Sequence, residues 1–449
     1  MRRRERGVRL APKQLLTVGL VTQGILYDDV VMEMLDHQGV CYETIEADSP
    51  SLKDYPLVLV SERSDNALSQ ERFHSVSKDD VIAASDVVDL NGVLECLSGL
   101  VKDRGDRFDP LVNQEELKLS AAVKNGLLRK GLPFVVKQFW PGQASACCVL
   151  THDLDWFSYS PFHKAVFQVK SDLPRKSKIL IDSALRRRDY GWNIPSILEL
   201  ERKYGARSTF LFQTDYGKGN SFVEPSLKLL KAEGCEIGLH AAHLSHENED
   251  ALRSELKAFN SRTGLSPYGI RYHILKFRVP DSWLMQSSFG LLYDATFSYT
   301  NFFGFRGGIC FPYHPFAERR LAVTELPTGF MDWTALKRKV RGERMRNLLG
   351  DTMRKAVAYH GVVVVNFHNT YLNKDTFPDV LETYEWLLSE ASRNGYWMAT
   401  AQQCVEWWNY RASCKPQLRL EEGKTIRAKT QIPLVVESED KGFTLSAAG

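Results

Sequence analysis

Residues 147–155 read Cys-Cys-Val-Leu-Thr-His-Asp-Leu-Asp, an apolar run that passes straight into two carboxylates. A run this short has the length of a buried strand. On an extended backbone, residues i and i+2 share a face, so Asp153 and Asp155 would leave the strand side by side. Held that close they repel, unless a cation lies between them.

Similar runs follow: Ser-Thr-Phe-Leu-Phe (208–212), Glu-Ile-Gly-Leu (236–239), four valines (362–365) and Trp-Met-Ala-Thr (397–400). Helical patterns separate them, at 162–189, 194–204, 222–234, 249–262, 351–360 and 377–394. Repeated β/α alternation over about 280 residues is the size of one (β/α) barrel. The expected fold class is therefore α/β, a distorted (β/α) barrel.

Polar residues gather where these strands end. His240, His243 and His246 follow the run at 236–239, Arg271-Tyr272-His273 follows Tyr-Gly-Ile (268–270), and Asn366-Phe367-His368-Asn369 follows the valines. With His152, six of the eleven histidines lie at strand exits. In a parallel barrel such exits form one rim, where catalytic groups sit. One carboxylate with two imidazoles is a common open hydrolytic metal site that leaves a position for water. A capping Asp pair near unrelated histidines is the competing explanation, and the convergence of several strand ends weighs against it.

These motifs resemble the polysaccharide deacetylase (NodB-homology, carbohydrate esterase family 4) superfamily, in the branch whose first motif reads T-H-D-x-D. The resemblance runs from about 145 to 411. It is carried by LTHDLD (150–155), GARSTFLF (205–212), GCEIGLH (234–240), GIRYHILKFR (269–278), LLYDATF (291–297), GFRGG (304–308), VVVVNFHN (362–369) and WMATAQQCVEWW (397–408). It implies a barrel of the deacetylase type. It also implies Asp153 as general base, Arg271 as the base's partner, His368 as general acid and Asp294 as a residue tuning His368. As metal ligands it implies Asp155 and His240 on a divalent metal, zinc. The family's second histidine would stand at i+4 from His240, where this chain has Leu244. His243 is the preferred substitute, since i and i+3 share a face if the segment begins a helix. His246 and His273 stay open as alternatives. Tyr272 and Arg306 are candidates for substrate binding, and Trp156, Tyr159, Phe302, Phe303 and Trp333 are further aromatics that could stack on a sugar. The implied reaction removes an N-acetyl group from a sugar or polysaccharide precursor. A ureide or cyclic amide hydrolase of the same fold, or an inactive glycan-binding scaffold, are the other readings.

Outside the barrel the chain is plainer. Residues 15–62 read as a β-α-β unit, and 1–130 as a Rossmann-like α/β domain without the G-x-G-x-x-G of dinucleotide sites. The barrel would occupy 131–412, and 413–449 would be an extension with one strand candidate, Thr-Gln-Ile-Pro-Leu-Val-Val. The 449 residues hold 58 Lys and Arg against 55 Asp and Glu, a net charge of +3, with 43% apolar residues. That balance suits a globular protein and gives no concentrated basic footprint for nucleic acid. No run approaches the roughly 20 apolar residues of a membrane span. The N-terminus lacks an apolar signal core, and the eight cysteines lack a C-x-x-C pair. Reduced thiols in a cytoplasmic protein are expected.

Overall fold

The computed structural model describes residues 16–46, 49–62, 76–100, 105–155, 192–215, 221–242, 244–421, 424–439 and 442–447. The expected helix at 162–189, together with Trp156, Tyr159 and His243, lies outside them. The chain divides into two compact units: residues 1–94, 114–139 and 409–449 form one, and residues 95–113 with 140–408 form the other.

In the first unit, strands β1 (Val18–Thr22), β2 (Tyr42–Glu46), β3 (Val58–Val60) and β4 (Val81–Ala83) form a parallel sheet in the order β2-β1-β3-β4. The helix Leu26–Gln38 follows β1 and ends at Gly39, whose φ of 71° places it in the left-handed region glycine tolerates. The order reverses at β1, where doubly wound sheets bind phosphates. Here the loop's amides are already engaged: the Asp28 carboxylate accepts the backbone N–H of Gln23 (2.7 Å) and Gly24 (2.8 Å), and the Ser61 hydroxyl (2.6 Å). Strand β5 (Phe134–Lys137) belongs to this unit as well.

The second unit is built on nine strands, all paired in parallel. They are β6 (Cys147–Leu154), β7 (Thr209–Phe212), β8 (Glu236–Ala241), β9 (Gly269–Tyr272), β10 (Tyr293–Asp294), β11 (Thr324–Glu325), β12 (Thr328–Met331), β13 (Val362–Asn366) and β14 (Trp397–Ala399). The order is β11-β10-β9-β8-β7-β6-β13-β12, with β14 paired to the first half of β6. Its two end strands, β11 and β12, are separated in the chain by only Leu326 and Pro327. The three Cα–Cα steps from Glu325 to Thr328 reach at most about 11 Å, so the sheet has curled until these edges lie close together. This is the distorted barrel expected from the alternation.

Cys147, Cys148, Val149 and Leu150 are fully buried, as are all four valines of β13. A parallel sheet covered on both faces requires this. The outer cover comes from the helices Ile194–Lys203, Val223–Ala232, Glu249–Thr263, Gly342–Ala358 and Pro378–Arg393, whose apolar positions join one core with the strands.

The chain then returns to the first unit with β15 (Gln417–Glu421), β16 (Thr425–Lys429), β17 (Leu434–Glu437) and β18 (Thr444–Ala447). Strand β17 is the one anticipated in the sequence, and it pairs antiparallel with β5. The last segment is thus part of the first unit's framework, where an appended extension was expected. Arg411 shows how tightly. Its guanidinium is fully buried and donates to the carbonyls of Asp36 (2.6 Å), Gln138 (2.8 Å) and Lys137 (3.3 Å). Arg411→Met strands these acceptors, each worth about 1–3 kcal/mol when buried and unpaired. Urea titration followed by circular dichroism should show this unit destabilised by about 3 kcal/mol, allowing for non-additivity.

All eight cysteines are free, six of them buried. Among the described residues no helix is long and apolar enough to cross a membrane.

Candidate active site

Side-chain alternation along β6 sorts the T-H-D-x-D motif into two sets. Thr151, Asp153 and Asp155 point to the inside of the curl, while His152 points out. His152 is fully buried, with Nδ1 2.7 Å from the Phe367 carbonyl and Nε2 2.9 Å from Glu201 of the helix Ile194–Lys203. It fastens a helix to the sheet and takes no part in the rim cluster. The same alternation on β9 turns Arg271 inward and Tyr272 outward. Tyr272 is buried, with its ring against Phe277 (6.2 Å) and His246 (6.1 Å). That placement does not meet the expectation that it binds substrate.

Five inward groups converge on a cleft of about 480 Å³: Asp153, Asp155, His240, His273 and His368. Asp153 is the most fully held. Its Oδ1 accepts from Arg271 Nη1 at 2.8 Å and its Oδ2 from Asn366 Nδ2 at 2.7 Å. Oδ2 also faces His240 Nε2 and His368 Nε2, each at 3.9 Å. Burial alone would raise this carboxyl, but Arg271, His240 and His368 outweigh burial and hold it well below the usual carboxylate range. Arg271 is fully buried and is itself fixed through Thr151 Oγ1 (2.9 Å), the Ala295 carbonyl (2.8 Å) and Thr328 Oγ1 (3.2 Å). The structure therefore brings Asp153 and Arg271 together as a buried ion pair.

His368 lies just beyond β13. Its Nδ1 is 2.6 Å from Asp332 Oδ1, and its backbone N–H donates to Asp332 Oδ2 at 2.8 Å. Burial would lower the imidazole, yet Asp332, Asp155 and Asp153 together push it up to about 10. The ring is a cation at neutral pH, with Nε2 aimed into the cleft. Asp332 is fully buried at the start of the helix Asp332–Lys337, directly after β12. Sequence reading missed it. The signal was there, in an apolar Gly-Phe-Met leading into a carboxylate, but that stretch was not recognised as a strand. Asp294, the residue expected to tune His368, instead accepts from Gln286 Nε2 (2.9 Å), Thr296 Oγ1 (2.6 Å) and the Thr296 N–H (3.0 Å).

Asp155 and His240 make the last pair. His240 Nδ1 lies 3.0 Å from the Arg271 carbonyl, which orients the ring with Nε2 toward Asp155. Nε2 and Asp155 Oδ1 are both buried without a hydrogen-bond partner, and they face each other at 3.1 Å. Two orphaned atoms in such an arrangement suit a cation bound between them. Oδ1 of Asp155, Nε2 of His240 and a ring nitrogen of His273 lie within 4.8 Å of one another.

Arg306 does not line the cleft. Its guanidinium lies over the Phe297 ring at 4.3 Å and donates to the Ser298 carbonyl at 3.3 Å. His246 lies 3.8 Å from Glu247, away from the cluster. Trp333 and Tyr371 are the cleft's aromatics, stacked at 6.2 Å with an interplanar angle of 12°. Tyr371 also meets His368 edge-on, at 5.5 Å.

No protein-family model and no curated protein sequence matches the chain. Solved structures do. One assigned as a polysaccharide deacetylase from Mycobacterium smegmatis covers 61% of this chain and 93% of its own, at 18% identity and a TM-score of 0.44. The Puue allantoinase covers 61% and 93%, at 13% identity and 0.43. A second assigned deacetylase, from Pseudomonas aeruginosa PAO1, covers 61% and 94%, at 14% identity and 0.42.

Proposed function

We propose that the second unit is a zinc-dependent hydrolase that removes the N-acetyl group from a sugar or polysaccharide precursor. One observation carries this reading: the Asp153 carboxylate, paired with Arg271, and the His368 imidazole, paired with Asp332, face each other at 3.9 Å beside the Asp155–His240 pair. Acid and base chemistry from one site requires groups whose environments push them apart in this way.

The residues present fit a divalent metal, with Asp155 and His240 as two of its ligands. When bound, zinc would lower the pKa of a water to about 7 and polarise the amide carbonyl. That help is needed, because a carboxylate as acidic as Asp153 is a weak base and removes a proton only from an already acidified water. Asp153 accepts that proton at Oδ2, the oxygen turned toward His240 and His368. Arg271 and Asn366 keep the carboxylate from rotating while it does so. His368 then donates from Nε2 to the departing amine nitrogen, with Asp332 holding Nδ1 and the ring's orientation. The Trp333–Tyr371 stack lies beside His368, whose ring meets Tyr371 edge-on at 5.5 Å. A flat, half-exposed aromatic surface there suits the apolar face of a pyranose.

Metal removal tests the reading. Purified protein should hold about one divalent ion per chain. Dialysis against a chelator should abolish release of acetate from N-acetylated sugars, and added zinc should restore it. Full activity in chelated protein shown to be metal-free would rule out the metal-dependent mechanism.

A further inference from the structure

We propose that His273 is the third metal ligand, so that the ion is held by Asp155, His240 and a histidine from the next strand rather than by two histidines of one loop. The proposal rests on the metal-dependent reading and adds to it the origin of the third donor.

The distances support this set. Tetrahedral zinc, with Zn–N and Zn–O bonds near 2.1 Å, places its ligand atoms about 3.4 Å apart. Asp155 Oδ1 is 3.1 Å from His240 Nε2 and 3.9 Å from His273 Nε2, so the two separations straddle that value. The two imidazoles stand at 86° with centroids 5.3 Å apart, an arrangement that lets both aim at one point without stacking. His240 Nε2 is buried and turned toward Asp155 Oδ1, so one ring nitrogen is already directed at the site.

Two other positions are placed differently. Leu244, at i+4 from His240, is 53% exposed and has no donor atom. His246 is turned to Glu247 and the Tyr272 ring. His243 lies outside the described residues.

The local backbone shows how the chain delivers His273. Arg271 faces inward on β9, and His273, the first residue after the strand ends at Tyr272, lines the cleft. The next two residues, Ile274 and Leu275, both have φ of 54°. A β-branched residue in the left-handed region costs on the order of 1–3 kcal/mol and persists only where the surroundings hold it. The strand ends at Tyr272, and the turn that follows His273 places Ile274 on the cleft wall. An ordinary continuation of the strand would carry the chain out past the rim.

Zinc affinity measured on the full chain by competition with a chromophoric chelator tests the assignment, together with the visible spectrum of the cobalt-substituted protein. His273→Ala should weaken zinc binding by about a hundredfold or more, since even indirect ligand partners are worth 10–100-fold. It should also lose the intense cobalt band of a four-coordinate site. His273→Asp, which restores a donor, should recover much of the affinity. His243→Ala and His246→Ala should stay near the unmutated chain. Unchanged affinity in His273→Ala, or a loss in His243→Ala equal to that of His240→Ala, would overturn the assignment and leave the metal-dependent reading standing. Absence of zinc binding by the unmutated chain would overturn both.

Discussion

Asp153→Asn should lower kcat by about a thousandfold or more, at the upper end of what a positioned base contributes. The amide keeps the shape of the carboxylate but cannot accept the water's proton. It also leaves Arg271 buried beside a neutral group, and breaking a buried pair costs about 3–5 kcal/mol. The variant should therefore melt earlier while remaining folded at 25 °C, because Arg271 keeps its contacts to Thr151, Ala295 and Thr328. Steady-state kinetics beside a thermal melt separate the two effects. A thousandfold loss of kcat with KM little changed and a folded spectrum identifies the base. Loss of activity only in proportion to unfolded protein would assign Asp153 a structural role alone.

The second large effect belongs to the acid. His368→Ala removes the donor to the leaving amine and should cost about 10²–10⁴ in kcat. Asp332→Asn is the more informative change. Asp332 is the strongest influence holding His368 above its ordinary value, so its loss moves the imidazole down from about 10 toward 6.5. An acid works below its pKa, so the basic limb of the pH–rate profile should shift to lower pH, by one unit or more. At pH 8 the variant should be slow, and at pH 6 it should recover in part. A profile unchanged in shape would mean that Asp332 does not set the proton on His368.

Much of this was legible in the sequence because the barrel announces itself through buried strands. The runs at 147–150, 236–239 and 362–365 are apolar since both faces of a parallel strand are covered, and their polar exits could only be the rim. Asp153, Asp155, His240 and His368 all line the cleft, and Arg271 is buried against Asp153. Proximity along the chain failed where side-chain direction decides. His152 and Tyr272 are neighbours of site residues in sequence, and alternation turns both away. Asp332 went unseen because a Gly-Phe-Met strand carries little β signal by itself and is fixed by pairing with β13, whose partner residues Val364–Asn366 are far along the chain from Thr328–Met331. The third ligand was ambiguous for a different reason. His273 reaches Asp155 through a left-handed turn at Ile274 and Leu275, and nothing about Ile-Leu in a sequence predicts that conformation. The four strands at 417–447 were reduced to one, since β15, β16 and β18 are largely exposed and lack an apolar run.

Simultaneous quantification of acetate and free primary amine tests the central claim most directly. The purified chain, loaded with zinc, would be presented with a panel of free, nucleotide-linked, lipid-linked and polymeric N-acetylhexosamines. The account predicts equimolar acetate and amine from at least one member, and neither from Asp153→Asn or His368→Ala under the same conditions. No acetate from any member, with ring-opened product from a cyclic ureide instead, would contradict it.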